Sequence, residues 1–140
     1  MSGAERVLVI SPETEHRTKI NAAVQKYGLG SISCGSLADA EVFLGQQAFR
    51  VVFCHDILPD GDFRGAIAAA KQTPVVVLSR FAEWDRYLAA LDAGAFDYMA
   101  CPPDTAETER IVRAAVGYSG ENAQNGNAEV QGKWAVVGAA

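Results

Sequence analysis

Cysteine is scarce in this chain and nowhere paired. The three residues, Cys34, Cys54 and Cys101, are widely spaced, and no Cys-x-x-Cys occurs. A zinc knuckle and a thioredoxin-like motif are thereby excluded, and free thiols in a reducing compartment are the simplest reading. Basic residues are also few: 12 Lys and Arg stand against 17 Asp and Glu, for a net charge of −5. They form no run, which argues against non-specific nucleic-acid binding. No apolar stretch approaches the roughly 20 residues of a membrane span. Glu5 and Arg6 sit too close to a short apolar run for a signal peptide. The sequence predicts a soluble cytoplasmic protein with no internal repeat. What it does hold is apolar residues, 49% of 140, enough for one domain with a real core.

Short apolar runs alternate with helical spacings along the first 117 residues. Arg6–Ile10 (RVLVI) is continuous, as a strand buried on both faces would be. Ser11-Pro12-Glu13 then offers an N-cap, a first-turn proline and an acid at the positive helix end. Ile20, Ala23, Val24 and Tyr27 give that helix its apolar face, and Gly28 ends it. Residues 31–34 form a weak second strand. Ser36 with Asp39 resembles a capping box, before Leu37, Ala40, Phe43 and Leu44, and Gly45 closes the helix. Val51–His55 is the third strand, Pro59-Asp60-Gly61 a turn, and Asp62 the cap of an alanine-rich helix over 63–72. Val75–Ser79 is the most strand-like run. A helix over 83–93 carries Trp84, Tyr87, Leu88 and Leu91 on one face, read as core, and Gly94 stops it. A fifth strand spans 96–100, and Cys101-Pro102-Pro103 breaks it. Asp104 with Glu107 caps a last helix bearing Ile111, Val112, Ala115 and Val116.

Five strands alternating with five helices predict an α/β protein: a parallel sheet, helices on both faces, right-handed crossovers. The flavodoxin-like (βα)5 strand order 2-1-3-4-5 is the natural choice. The domain is set at 1–117. Residues 118–140 are read as a Gly/Asn-rich tail or linker ending in the apolar KWAVVGAA, which docks as an extra strand, lies along the domain, or starts a further element. A site is expected where the first, third and fifth strands end. The stretch RVVFCHDILPDGD (50–62) carries most of the ionisable groups there: His55, Asp56, Asp60 and Asp62 beside Cys54.

VLVIS at the first strand, VVFCHDILPDGD at the third, VVVLS at the fourth and GAFDYMACPP at the fifth resemble the receiver domain of two-component response regulators. The resemblance covers Val7 to about Gly117. It implies phosphoryl transfer from a histidine kinase to one aspartate. Two acidic residues after the first strand hold Mg²⁺ with that aspartate, as a hard cation requires oxygen ligands. A hydroxyl ending strand four and a lysine ending strand five contact the phosphoryl group, and an aromatic on strand five follows it.

Most of that set is missing. The acidic-pair positions are Ser11 and Pro12, the acceptor position, four residues before Pro59, is His55, and the lysine position is Cys101. Ser79 and Tyr98 keep the two switch positions. Asp60, Asp62 and Asp97 are read as loop or strand-end residues without required chemistry. Asp56 is a fallback acceptor one residue late, and strand alternation aims it elsewhere. His55 and Cys101 are read as filling the space of a lost Asp–Lys pair, since replacing both buried charges can be nearly neutral. The expected protein is an atypical, phosphorylation-independent receiver domain of a phosphorelay, not an enzyme, with no cofactor and Mg²⁺ binding lost or weak. It acts on a signalling partner or a second copy of itself through its fourth helix, fifth strand and fifth helix, with no direct nucleic-acid or membrane contact. Two alternatives stand beside it: a metal- or redox-sensing module using His55 and Cys101, and a conventional phosphoacceptor at Asp56. His16 is read as a solvated helix residue, Cys34 as core, and Tyr98 as either switch or half-buried strand aromatic.

Overall fold

The computed structural model describes residues 6–81, 83–101 and 104–117. The expectations for the tail, 118–140, and for Pro102 and Pro103 lie outside the described residues. Five strands, β1 (Arg6–Ile10), β2 (Gly30–Cys34), β3 (Val51–His55), β4 (Val75–Ser79) and β5 (Asp97–Ala100), form one sheet. All pairings in it are parallel, in the order β2-β1-β3-β4-β5, as the alternation predicts. The helices are α1 (Thr14–Gln25), α2 (Leu37–Gln46), α3 (Phe63–Ala70), α4 (Trp84–Asp92) and α5 (Thr105–Val116).

Because both faces of the sheet are covered, alternate residues of each strand feed two separate cores. Val7, Val9, Val51, Phe53, Val76 and Leu78 pack against Ile20 and Val24 of α1 and Ile111 and Val112 of α5. Leu8, Ile10, Val52, Cys54, Val75 and Val77 pack against Ala40 of α2, Phe63 and Ala66 of α3, and Tyr87 and Ala90 of α4. Cys34 is buried in the second core, as expected.

Three caps follow the sequence. Ser36 accepts from the Asp39 N–H, Asp62 from Arg64 and Asp104 from Glu107. The α1 cap does not. The Ser11 N–H is taken by the Cys34 carbonyl, which prolongs the β1–β2 ladder and keeps the chain extended. The Ser11 hydroxyl accepts only from the Glu13 N–H, and the helix begins at Thr14. His16 joins Ile20, Ala23 and Val24 on the buried side, spaced i, i+4, i+7, i+8, so the solvated reading of His16 is wrong. On α4 the buried side is Tyr87 and Ala90, while Trp84 and Leu88 are 42% and 40% exposed and not core. Two ends close with glycine in the left-handed region: Gly28 after α1 (φ 75°) and Gly94 after α4 (φ 111°). Gly45 lies within α2, which runs one residue further.

Between β3 and α3 the chain makes a small antiparallel hairpin, Ile57–Leu58 against Gly61–Asp62, with Pro59 and Asp60 at its tip. Asp60 has a structural task the sequence did not suggest. Its two carboxylate oxygens accept from the N–H groups of Leu37 (2.8 Å) and Ala38 (2.9 Å), tying the hairpin to the first turn of α2. Those N–H groups, Leu37 first, hold its pKa below the usual carboxylate value. The stabilisation is therefore full above the unfolded carboxylate pKa and is lost as pH falls through the lowered one. Asp60→Ala is expected to lower the thermal midpoint at neutral pH and to shrink its fall on acidification, measured by circular dichroism melts. An unchanged acid limb would show that the tie contributes nothing.

Candidate functional site

The C-terminal ends of β1, β3, β4 and β5 gather the polar residues singled out above, and strand alternation divides them between two faces. His55 continues the register of Val51 and Phe53, on the α1/α5 side. Asp56 continues that of Val52 and Cys54, on the α2–α4 side.

Asp56 and Ser79 meet. The Ser79 hydroxyl donates to Asp56 Oδ2 at 2.8 Å and accepts from the Phe81 N–H at 3.1 Å. The Asp56 N–H donates to the Leu78 carbonyl at 2.7 Å, which fixes the residue against β4. Arg86 of α4 approaches Asp56 Oδ2 at 3.9 Å and lies over the Phe81 ring. Tyr98, almost fully buried, donates its hydroxyl to the Phe81 carbonyl and stands edge-on to Tyr87. Burial is the main influence raising its pKa. Tyr98 is thus a core residue tied to the segment after β4, not a half-buried aromatic. A cavity of about 250 Å³ opens on this side, lined by Asp56, Phe63, Arg64, Arg86 and Tyr98 among others. The one-residue offset of Asp56 does aim it at the opposite face from His55, but that face is the one bearing Ser79.

On the other face His55 stacks on His16 of α1. Its Nδ1 lies 3.2 Å from Asp56 Oδ1 and 3.3 Å from the Ile57 carbonyl. Cys101 packs partly buried against the α1/α5 core, and its N–H donates to the Ser79 carbonyl. Burial pushes its thiol up to about 12, and burial raises Cys54 and Cys34 too. Thiols so shifted are protonated at neutral pH and poor nucleophiles. Ser11 is buried, with its hydroxyl taken by Glu13, and Pro12 is exposed. Glu13, the nearest acid on α1, pairs with Arg80 at 2.8 Å. Among the described residues no group of three or more His, Cys, Asp or Glu side chains is placed to hold a metal.

Comparison with known proteins places this geometry. No family model matches the chain. The fold is that of a response-regulator receiver domain. A response regulator of Thermotoga maritima superposes with a TM-score of 0.74 at 21% identity, over 82% of this chain and 99% of that one. The receiver domain of the sensor histidine kinase PA1611 of Pseudomonas aeruginosa, solved with a magnesium ion in its active-site cleft, gives 0.69 at 22%, over 83% and 100%. The beryllofluoride-activated NtrC4 receiver domain, a dimer, gives 0.72 at 21%, over 80% and 96%. Among curated proteins the chain is similar to the response regulator protein PilR of Pseudomonas aeruginosa, 24% identical over 116 residues. That match covers 80% of this chain and 26% of PilR, so the chain spans about a quarter of its relative's length.

His16 was missed as a site residue because its neighbour, His55, is brought beside it only by the fold. The only signal was its i, i+4 relation to Ile20. Ser79→Ala removes the hydrogen bond to Asp56 Oδ2 and leaves the Phe81 N–H without its acceptor. The expected cost is about 1–3 kcal/mol, as for buried polar groups left unsatisfied, read from the denaturant midpoint. A change below a few tenths would show that the hydrogen bonds are replaced by water.

Proposed function

We propose that this chain is an atypical receiver domain of a two-component or phosphorelay system, that works by protein–protein contact and without phosphorylation. It is a cytoplasmic signalling module and not an enzyme. The observation that carries this reading is the occupancy of the phosphoryl site. Ser11 and Pro12 stand where Mg²⁺ ligands are needed, Glu13 is engaged by Arg80, and Cys101 replaces the lysine. A phosphoryl group on this edge would have neither a metal nor a lysine to balance its charge. His55 and Cys101 take the place of a buried charge pair, a double replacement that costs little where a single one would strand a charge.

One observation favours a second reading, with Asp56 as acceptor: its carboxylate reaches the Ser79 hydroxyl at 2.8 Å. Incubation with a small-molecule phosphoryl donor and Mg²⁺, followed by intact-mass measurement, separates the two. No gain of roughly 80 Da, the mass of one phosphoryl group, is expected. A gain that disappears in Asp56→Asn would replace the first reading by the second.

The contact surface is placed on α4, β5 and α5, and its occupant is a second copy of the chain. Trp84 and Leu88 stand side by side at i, i+4 on the outer face of α4, with Phe81 also exposed. The dimer of the similar NtrC4 receiver domain supports self-association. The double variant Trp84→Glu/Leu88→Glu is expected to keep its circular dichroism spectrum and to lose self-association in concentration-dependent light scattering. A wild-type chain that is monomeric at high concentration would place the surface with a different partner.

A further inference from the structure

His16 and His55 are the only two histidines of the chain, 30-odd residues of α1, β2 and α2 lie between them, and the fold brings them together. Their rings stack with planes 9° apart and centroids 5.7 Å apart. They are 7% and 9% exposed. His55 Nδ1 faces two acceptors, Asp56 Oδ1 and the Ile57 carbonyl. His55 Nε2 and His16 Nδ1 are both buried with no hydrogen-bond partner. Such nitrogens are costly to bury, and a charged ring more so.

We propose that the stacked His16–His55 pair is a proton-operated switch: at neutral pH the stack holds no more than one imidazolium, and the second proton taken from solvent on acidification parts the first turn of α1 from β3. His55 stands at the position that the resemblance gives to the phosphoacceptor, so protons enter beside the place where the family would receive a phosphoryl group. This deepens the phosphorylation-independent reading by naming its input, and it rests on that reading only for the output.

The groups around the pair fix the sign. Burial is the largest influence on His16 and lowers its pKa, and the neighbouring His55 lowers it further. Glu13 and Glu15 on α1 oppose this, and Arg80 beyond β4 adds to it. On the β3 side Asp56 faces His55, with Arg86 of α4 behind it. Cys101 at the end of β5 stays a neutral thiol. A histidine whose folded pKa lies below its ordinary 6.5 binds more protons when released. The closed stack is therefore fully stable above the ordinary value and loses stability as pH falls through it. Opening carries Glu13 and its bridge to Arg80 with the start of α1. Asp56, bonded to His55 on one side and Ser79 on the other, passes the change to the opposite face.

With two histidines in the chain, an imidazole ¹H–¹³C NMR titration of the full-length protein from about pH 8 to about pH 5, the range over which histidine titrates, follows both sites. His16 is expected to titrate below 6.5, with each curve showing an inflection caused by the other ring. The backbone amides of residues 13–17, 55–56 and 79–81 should move in the same step. In His16→Gln the coupled inflection and the amide movement should both vanish. Should that variant not fold, His55→Gln serves instead, with the His16 midpoint expected to rise toward the ordinary value. Two independent titrations at the ordinary value would overturn the proposal, and so would coupled titrations without amide movement. A phosphoryl gain at Asp56 in the mass experiment would sink the earlier reading and leave this titration standing.

Discussion

Alternation of side chains along a strand covered on both faces governs this molecule's polar edge. β3 is buried throughout, with Val51 and Phe53 directed to α1 and α5, and Val52 and Cys54 to the other helices. Its last residue and the first of the following turn inherit those directions. Two neighbouring ionisable groups are thus delivered to different surroundings, His55 to the imidazole of His16 and Asp56 to the hydroxyl of Ser79. Slipping β3 by one residue would exchange them and send each core's side chains into the other core, so packing of the apolar residues holds the polar ones in place.

The same constraint bears on phosphoryl chemistry. A receiver-type reaction needs carboxylates, a hydroxyl and an ammonium group converging on one point. Here the Ser79 hydroxyl and the Asp56 carboxylate meet on the α2–α4 side, while His55 and Cys101 pack toward α1 and α5. The one further acid close by, Glu13, is held by Arg80. The sheet edge carries a link made of one ring stack, His16 on His55, and polar contacts from His55 to Asp56, Asp56 to Ser79, Ser79 to Phe81, and Phe81 to Tyr98. It runs from α1 to the segment that enters α4, where Trp84 and Leu88 lie exposed. A link of this kind transmits a signal only if its parts have two arrangements, and a buried pair of bases supplies a reason for two.

The tie between the hairpin and α2 is a second use of the acidic turn. Asp60 and Asp62 looked like surplus charge beside a site. Both act on backbone: Asp60 on the first turn of α2, Asp62 on that of α3. Carboxylates near helix starts are stabilising for the same reason that a phosphoryl ligand would be, and here side chains of the chain itself take that role.

The sequence by itself determined the architecture. Continuous apolar runs at β1, β3 and β4, helical spacing between them, and the caps at Ser36, Asp62 and Asp104 are local patterns, and they suffice to place five strands, five helices and the strand order. It also located the polar groups at the strand ends, His55, Asp56 and Ser79 among them. The start of α1 and the environments of the ionisable groups were decided only by tertiary structure. The Ser11 N–H donates to the Cys34 carbonyl, a residue of another strand, and α1 begins only at Thr14; His16 lies with Ile20 on the buried face, but its neighbour His55 comes from another strand. Likewise Trp84 and Leu88 share a spacing with Tyr87 that any helix would use for its core, and only the sheet's position shows that the smaller Ala90 is the one beneath. A residue's neighbours along the chain set its conformation, but its charge state and contacts depend on residues that the folding of the whole chain brings beside it.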